Sequence, residues 1–348
     1  MTKILFVMKK YATIKDIAKA LNVSTATVSR ALSDRWDVSP ATKLLVQEEA
    51  KRQNYRPNQI ALRLQNKRSK TIGLVIPEFQ NSFFPKVIAG IQKVVDDAGF
   101  QLLITQSQES MEIEERNLKL LENNMVEGIL ISINIEGENY EHYQGLIDSG
   151  IPIVFFNRVS LKIDAPKVII DDYKMAFFAT EHLIYNGFKK IYHFSGPENL
   201  SVSNERKRGF MDAMKKHHRV FDINSIITVG VFREKGYLAM QTLIEKKDLP
   251  DAIFCFNDHT ALGVLKAMKE AGLLCPDDIA LVGFTETELA QLVEPPLTSV
   301  EQPTFEMGEI AARLLLEQIN LSPPPVAETV CLTAKLNIRK SSDKINKM

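Results

Sequence analysis

The stretch TIKDIAKALNVSTATVSRAL occupies residues 13–32, and its reading decides the amino-terminal fold. Two short helical patterns meet at Asn22-Val23-Ser24 with no glycine between them. Thr13 followed by Asp16 is a capping-box-like start, and Ile14, Ile17, Ala18 and Leu21 share one apolar face. Ser24 can cap the second helix. There Val28, Ala31 and Leu32 form a buried side, while Ala26, Ser29 and Arg30, with Thr25 beside them, face outward. Ser39-Pro40 starts a third helix with proline at its first position. Its Leu45, Val46 and Ala50 are expected to close a three-helix cluster. Small outward residues let a helix enter the DNA major groove, and Arg30 can reach guanine or phosphate. This is the pattern of a helix-turn-helix with Ala26 to Arg30 on the reading helix.

Charge distribution agrees with that assignment. The chain has 348 residues and no formal net charge. Residues 1–70 nevertheless hold 15 Lys or Arg against 5 Asp or Glu, and the remainder holds 28 against 38. A basic head on an acidic body implies that only the head meets a polyanion.

After these residues the resemblance can be stated. TIKDIAKALNVSTATVSRAL, and then NYRPNQIALRL at residues 54–64, resemble the amino-terminal signature of the lactose-repressor/galactose-repressor family of bacterial transcription regulators. The resemblance covers nearly the whole chain after Met8. It implies that Thr25 and Ala26 are the main base-reading pair, that Arg30 contacts base or phosphate, and that Ser24 and Ser29 contact phosphate. Trp36 and Asp37 stand where many relatives have Gly, Lys or His.

Pro57-Asn58 breaks the third helix, and Asn58 can cap a segment of about seven residues, too short to be helical alone. In the family such hinge segments from two subunits fold together in the minor groove. The resemblance makes Leu64 the wedge that opens a base step there. The expected divisions are therefore a helix-turn-helix domain at 8–56, a hinge and linker at 57–70 and a two-lobed body at 71–341.

From Thr71 onward, short apolar runs (TIGLVIP, QLLITQS, GILISI, IPIVFF, KVIID, KIYHFSG, AIFCFND, IALVGF) alternate with amphipathic segments. Continuous apolar strands separated by helices imply parallel sheets covered on both faces. The strands are too many for one small sheet, so the expected fold is an all-α helix-turn-helix head followed by an α/β body. That body comprises two doubly wound parallel-sheet subdomains resembling periplasmic sugar-binding proteins. The amino-subdomain is placed at about 71–168 plus 299–325 and the carboxy-subdomain at about 169–298 plus 326–341. Ligand contacts belong at the carboxyl ends of the strands, facing the cleft.

Phe83-Phe84, Arg206, Phe232 and Asn257-Asp258 stand at such strand ends or nearby turns. Aromatic faces beside amide and charged groups suit a sugar or another small polar ring. The resemblance assigns all six to ligand contact. It also marks a departure, because Gly283-Phe284-Thr285 stands where many relatives read Gly, an aromatic residue and Asp. Thr285 cannot supply that charge, and another acid such as Asp171 is a candidate to compensate.

No phosphate loop of the G-x-x-x-x-G-K or G-x-G-x-x-G kind occurs, and no G-x-S-x-G nucleophile turn. The neighbouring acids Asp96-Asp97, Asp171-Asp172 and Asp277-Asp278 do not by themselves make an acid/base pair. His217-His218 reads as a solvated helix end. Cys255, Cys275 and Cys331 lack the spacing of a disulfide framework or a zinc site. Neither catalysis, a metal nor a cofactor is expected. The start MTKILFVMKK has only five consecutive apolar residues, too few for a signal peptide, and Met8 is an alternative start. A cytoplasmic protein without membrane attachment is expected.

The resulting expectation is a ligand-controlled regulator, a repressor of carbohydrate-utilisation genes, that binds a near-palindromic double-stranded operator. It acts as a homodimer, since the segment after Arg339 lacks the leucine repeat of a tetramer-forming coiled coil. Its effector is a sugar or sugar derivative. Open alternatives are a sugar-binding transport protein, a sugar- or nucleoside-processing enzyme, and control by a phosphocarrier protein.

Overall fold

The computed structural model describes residues 12–55, 69–80, 82–219 and 222–343. It divides into a unit ending at Ser69 and one beginning at Lys70.

The first unit holds three helices, α1 Ile14–Leu21, α2 Thr25–Leu32 and α3 Pro40–Arg52. Each starts on a hydroxyl cap. Thr13 and Asp16 form a reciprocal capping box on α1, Ser24 Oγ accepts from Thr27 N–H at 3.0 Å, and Ser39 Oγ accepts from Thr42 N–H at 3.2 Å. Asn22 turns the chain between α1 and α2 in the left-handed region, φ 52°, which asparagine tolerates better than most side chains. Ile17, Ala18, Val28, Ala31, Val38, Val46 and Ala50 form the core. Leu45 is a correction, because it is 55% exposed. In the run Leu44-Leu45-Val46 only Val46 faces inward, since consecutive helical positions point about 100° apart.

The second unit contains two six-stranded sheets. The first has strand order β11-β5-β4-β3-β1-β2, all pairs parallel. Its strands are β1 Thr71–Ile76, β2 Gln101–Gln106, β3 Gly128–Ile131, β4 Ile153–Phe156, β5 Lys167–Ile170 and β11 Thr329–Leu332. The second has order β12-β10-β9-β8-β6-β7. Its strands are β6 Ile191–Ser195, β7 Ile226–Thr228, β8 Ala252–Cys255, β9 Ala280–Thr285, β10 Thr298–Glu301 and β12 Lys335–Asn337. Here β12 runs antiparallel to β10, the one departure from a parallel body among the described strands. β1, β3 and β4 are buried at every position, as strands covered on both faces must be.

Nine helices, numbered α4 to α12, cover the sheets among the described residues: Phe83–Asp97, Met111–Asn123, Tyr140–Asp148, Asp172–Tyr185, Ser201–Lys216, Arg233–Lys246, Asp258–Glu270, Glu288–Leu292 and Thr304–Asn320. The chain passes between the sheets after Ile170, after Glu301 and between Leu332 and Lys335. The divisions expected at 168, 298 and 325 fall short of these crossings. Residues 299–301 pair within the second sheet, and 329–332 within the first. No described helix is long and apolar enough to cross a membrane.

Candidate functional site

In the first unit α2 presents Ser24, Thr25, Ala26 and Arg30 outward, with Ser29 half-buried beside them. The Arg30 side chain is held in place. Its Nε donates to the Ala26 carbonyl at 3.2 Å and its Nη1 to Asp37 Oδ2 at 3.1 Å. Ser24 caps the helix with its hydroxyl, which stays exposed at the helix start. Asn58 and Leu64 lie outside the described residues.

In the second unit the strand ends of both sheets meet at a cleft. One cavity of about 280 Å³ is lined from the first lobe by Glu78, Gln80, Glu109 and Arg158, and from the second by residues including Phe232, Arg233, Asn257 and His259. Phe232 stands just before α9 with 38% of its surface exposed, an aromatic face available to a ring. Asn257 caps α10. Its Oδ1 accepts from Thr260 N–H at 2.8 Å and its Nδ2 donates to the Val231 carbonyl at 2.9 Å, leaving one amide hydrogen to spare. Glu109 and Arg158 form a buried pair at 2.8 Å, and Glu109 also accepts from Ile135 N–H. Burial and the neighbouring Arg233 guanidinium hold the His259 imidazole below its usual range, so it is neutral near pH 7. Its Nε2 is buried without a hydrogen-bond partner, a polar atom that a ligand hydroxyl can satisfy.

A second cavity of about 420 Å³ lies where the chain crosses between the lobes, and its lining includes Ser82, Phe83, Lys86, Thr285 and Gln302. The Gln302 Oε1 is buried and also unpartnered. Thr285 has φ 116°, a strained conformation for a side chain with a branched Cβ.

Phe84, Arg206 and Asp258 line neither cavity. Phe84 is 2% exposed and packs edge-on against Phe83 in the core. Arg206 is 3% exposed. Its Nε donates to Asp172 Oδ1 at 2.8 Å, its Nη1 donates to the Phe256 carbonyl at 2.7 Å, and its guanidinium stacks on Phe284 at 3.6 Å. Asp258 is wholly buried. Its Oδ1 accepts from the Ser299 hydroxyl and its Oδ2 from Thr287 N–H, both at 2.6 Å. The carboxyl therefore fixes the strained 285–287 turn and does not reach into the cleft. Burial pushes its pKa up to about 7. Asp171 is exposed and caps α7 by accepting from Lys174 N–H, so it does not replace the charge missing at Thr285.

Glu109, Arg158, His259, Gln302 and Asp172 were not anticipated from the sequence. Arg158 follows the strand IVFF and His259 follows Asn257-Asp258, so position after a strand end was the available signal. Glu109 and Gln302 sit on turns that only the assembled fold brings to the cleft. Among the described residues, no group of three or more His, Cys, Asp or Glu is placed to hold a metal ion.

The lobes touch across this cleft. Leu200, Val202, Val231 and Phe256 of the second lobe form one buried cluster with Ile131, Ile133, Val159 and Ile163 of the first. Asn199 Nδ2 donates across it to the Ile135 carbonyl at 2.6 Å.

Comparison with known proteins gives two family models. Residues 13–58 match bacterial regulatory proteins of the lacI family, and residues 69–339 match the periplasmic binding proteins and sugar-binding domain of the LacI family. The chain is 32% identical to the ribose operon repressor of Halalkalibacterium halodurans over 311 residues, 89% of this chain and 91% of that protein. It is 33% identical to the HTH-type transcriptional repressor CytR of Escherichia coli over 310 residues, 88% of this chain and 90% of that one. Among solved structures it is similar to the transcriptional regulator CelR–cellobiose complex, with TM-score 0.73 and 28% identity over 95% of this chain and 99% of that chain. The lac repressor dimer bound to operator and the anti-inducer ONPF has TM-score 0.82 over 96% and 99%, at 23% identity, a likeness of fold.

Proposed function

The chain belongs to the lacI family of bacterial regulatory proteins, and on that premise we propose a ligand-controlled, sequence-specific DNA-binding repressor. The observation that carries the reading is a capped helix with a small, polar, outward face on the same chain as a two-lobed body with a cleft between its lobes. Two such heads on a homodimer read a near-palindromic operator. Thr25, Ala26 and Arg30 read bases, Ser24 and Ser29 hold phosphates, and Asn58 and Leu64 belong to the hinge that orders on DNA.

The effector is a small neutral ring, a sugar or sugar derivative, for carbohydrate-utilisation genes. Phe232 supplies its stacking face, and Asn257 and His259 its hydrogen bonds, with Phe83, Thr285 and Gln302 around the second cavity. Phe84, Arg206 and Asp258 act behind the wall: Arg206 braces Phe284 and Phe256, and Asp258 sets the 285–287 turn. Effector binding shifts the lobes between two arrangements, and the operator senses the shift only so far as the effector prefers one of them. This reading involves no catalysis, and it places the protein in the cytoplasm, where its DNA is.

Selection of duplexes from a random pool by the full-length protein tests the reading, run with and without a panel of neutral sugars and nucleosides. The expected result is a two-fold site whose retention changes with one member of the panel. No enrichment under any condition overturns it, and turnover of the added compound favours an enzyme.

A further inference from the structure

Trp36 is the chain's sole tryptophan and is 90% exposed. Tryptophan is usually among the more buried side chains. The turn that carries it is nevertheless well braced. Asp34 N–H donates to the Ala31 carbonyl at 3.2 Å and Arg35 N–H to the Arg30 carbonyl at 3.0 Å. Lys43 of α3 grips Asp34 through its carboxylate at 2.7 Å and its carbonyl at 3.2 Å. Asp37 is ion-paired at 3.1 Å to Arg30 on the reading helix, and Val38 is anchored in the head's core. The residues flanking Trp36 are thus tied to α2, to α3 and to the head's core, one of them through Arg30 of the reading helix, and the indole stands exposed in solvent.

We propose that Trp36 reads the edge of each half-site. Its ring lies against a deoxyribose and a thymine methyl at the border of the groove, and its Nε1–H donates to a phosphate oxygen. An indole offers an apolar face and one donor with no acceptor. Duplex DNA presents the complement, apolar sugars and methyl groups among phosphate acceptors. The head's excess of Lys and Arg, 15 against 5 acids in residues 1–70, favours that polyanion over a second copy of an overall neutral chain. The inference rests on the DNA-binding reading above.

Because no other tryptophan contributes, the emission of the full-length protein reports on this side chain alone. Titration with the enriched duplex is expected to quench and blue-shift it, saturating at two heads per site. Trp36→Ala is expected to weaken that duplex by ~10-fold, the scale of one good base contact, with partial recovery in Trp36→Phe. Repeating the selection with Trp36→Ala should erase the preference at the outermost base pair. Unmoved emission at saturating duplex together with unchanged Trp36→Ala affinity overturns the proposal and leaves the regulatory reading standing. An equal loss on random-sequence duplex overturns the reading role, and a shift that follows protein concentration without DNA assigns the indole to a second copy. Failure of the wild type to enrich any duplex removes the regulatory reading and this one with it.

Discussion

Arg206 and Asp258 bring opposite charges into positions almost closed to water, and the surroundings satisfy them differently. Arg206 faces the carboxylate of Asp172, whereas Asp258 is held by a neutral hydroxyl and a backbone N–H. Removing one partner of a buried ion pair costs ~3–5 kcal/mol, because the other charge remains. Arg206→Ala is therefore expected to destabilise the body on that scale, and adding Asp172→Ala to recover much of the loss. Urea melts of the two single variants and the double variant check this, and additive losses would mean that the pair is not coupled.

For Asp258 the folded pKa of about 7 lies above the ordinary 3.8. The protonated form stabilises the fold fully below the ordinary aspartate range, and that contribution is lost as pH rises through about 7. The isosteric Asp258→Asn removes the titration. Its stability relative to the wild type should rise between pH ~4 and ~7 by at most ~4 kcal/mol, three pKa units. A difference that stays flat across that window sinks the assignment. Asp258 was legible in the sequence as a helix-start group after a strand, whereas Arg206, inside the helix Ser201–Lys216, stood out only through the family resemblance. Whether such a side chain lines a cleft or braces its wall depends on burial that the sequence does not encode. Asp171-Asp172 makes the point, since the helix start alone decides that the first caps outward and the second pairs inward.

At the scale of elements, α4 and α12 pack backbone to backbone. A Cβ on Gly90 would stand 2.1 Å from the Phe305 carbonyl oxygen, and one on Gly308 would stand 2.1 Å from that of Val87. Real Cβ atoms do not approach so closely, so Gly308→Ala must push the helices apart. It is expected to cost ~1–3 kcal/mol, the usual range for overpacking. Gly145→Ala, on α6 with open space around it, serves as the control and is expected to gain ~0.5–1 kcal/mol through helix propensity. Thermal melts of both variants decide the matter, and a neutral Gly308→Ala would show that the helices can slide.

The apolar strands β1, β3 and β4 were legible from composition because they are buried on both faces. TSVE, TVCL and KLN at β10, β11 and β12 were not, since three or four residues of mixed polarity become strands only through partners far along the chain. The crossing points between lobes depend on those partners, which is why the boundaries drawn from sequence missed them. In the head, capping chemistry made α1 to α3 readable. Leu45 was misplaced because an apolar triplet does not say which of its members faces the core.

Over the whole molecule, charge and packing divide the work. The basic excess lies in residues 1–70 and the acid excess in the rest, so a polyanion is attracted to one end of the sequence. The body carries a cleft whose walls are already in contact through Leu200, Val202, Val231 and Phe256. The contacts these side chains make across the cleft exist only while the lobes are together, so they weight the closed arrangement over an opened one. Leu200 is 1% exposed in that contact. Truncating a buried leucine costs ~2–5 kcal/mol where the site cannot collapse. At this position much of that cost falls on the closed arrangement, because opening relieves it. An effector that binds the closed arrangement must then first restore its population, which lowers its apparent affinity by the fraction lost. Leu200→Ala is accordingly expected to move the half-point of the operator response at least ~10-fold toward higher concentration of the sugar or nucleoside found active in the selection. Its far-UV circular dichroism should stay that of the wild type, because neither lobe loses an element. The comparison is a filter-binding titration of both proteins on the same duplex with that compound varied. An unshifted half-point would mean that the inter-lobe cluster packs equally well in both arrangements and takes no part in the coupling.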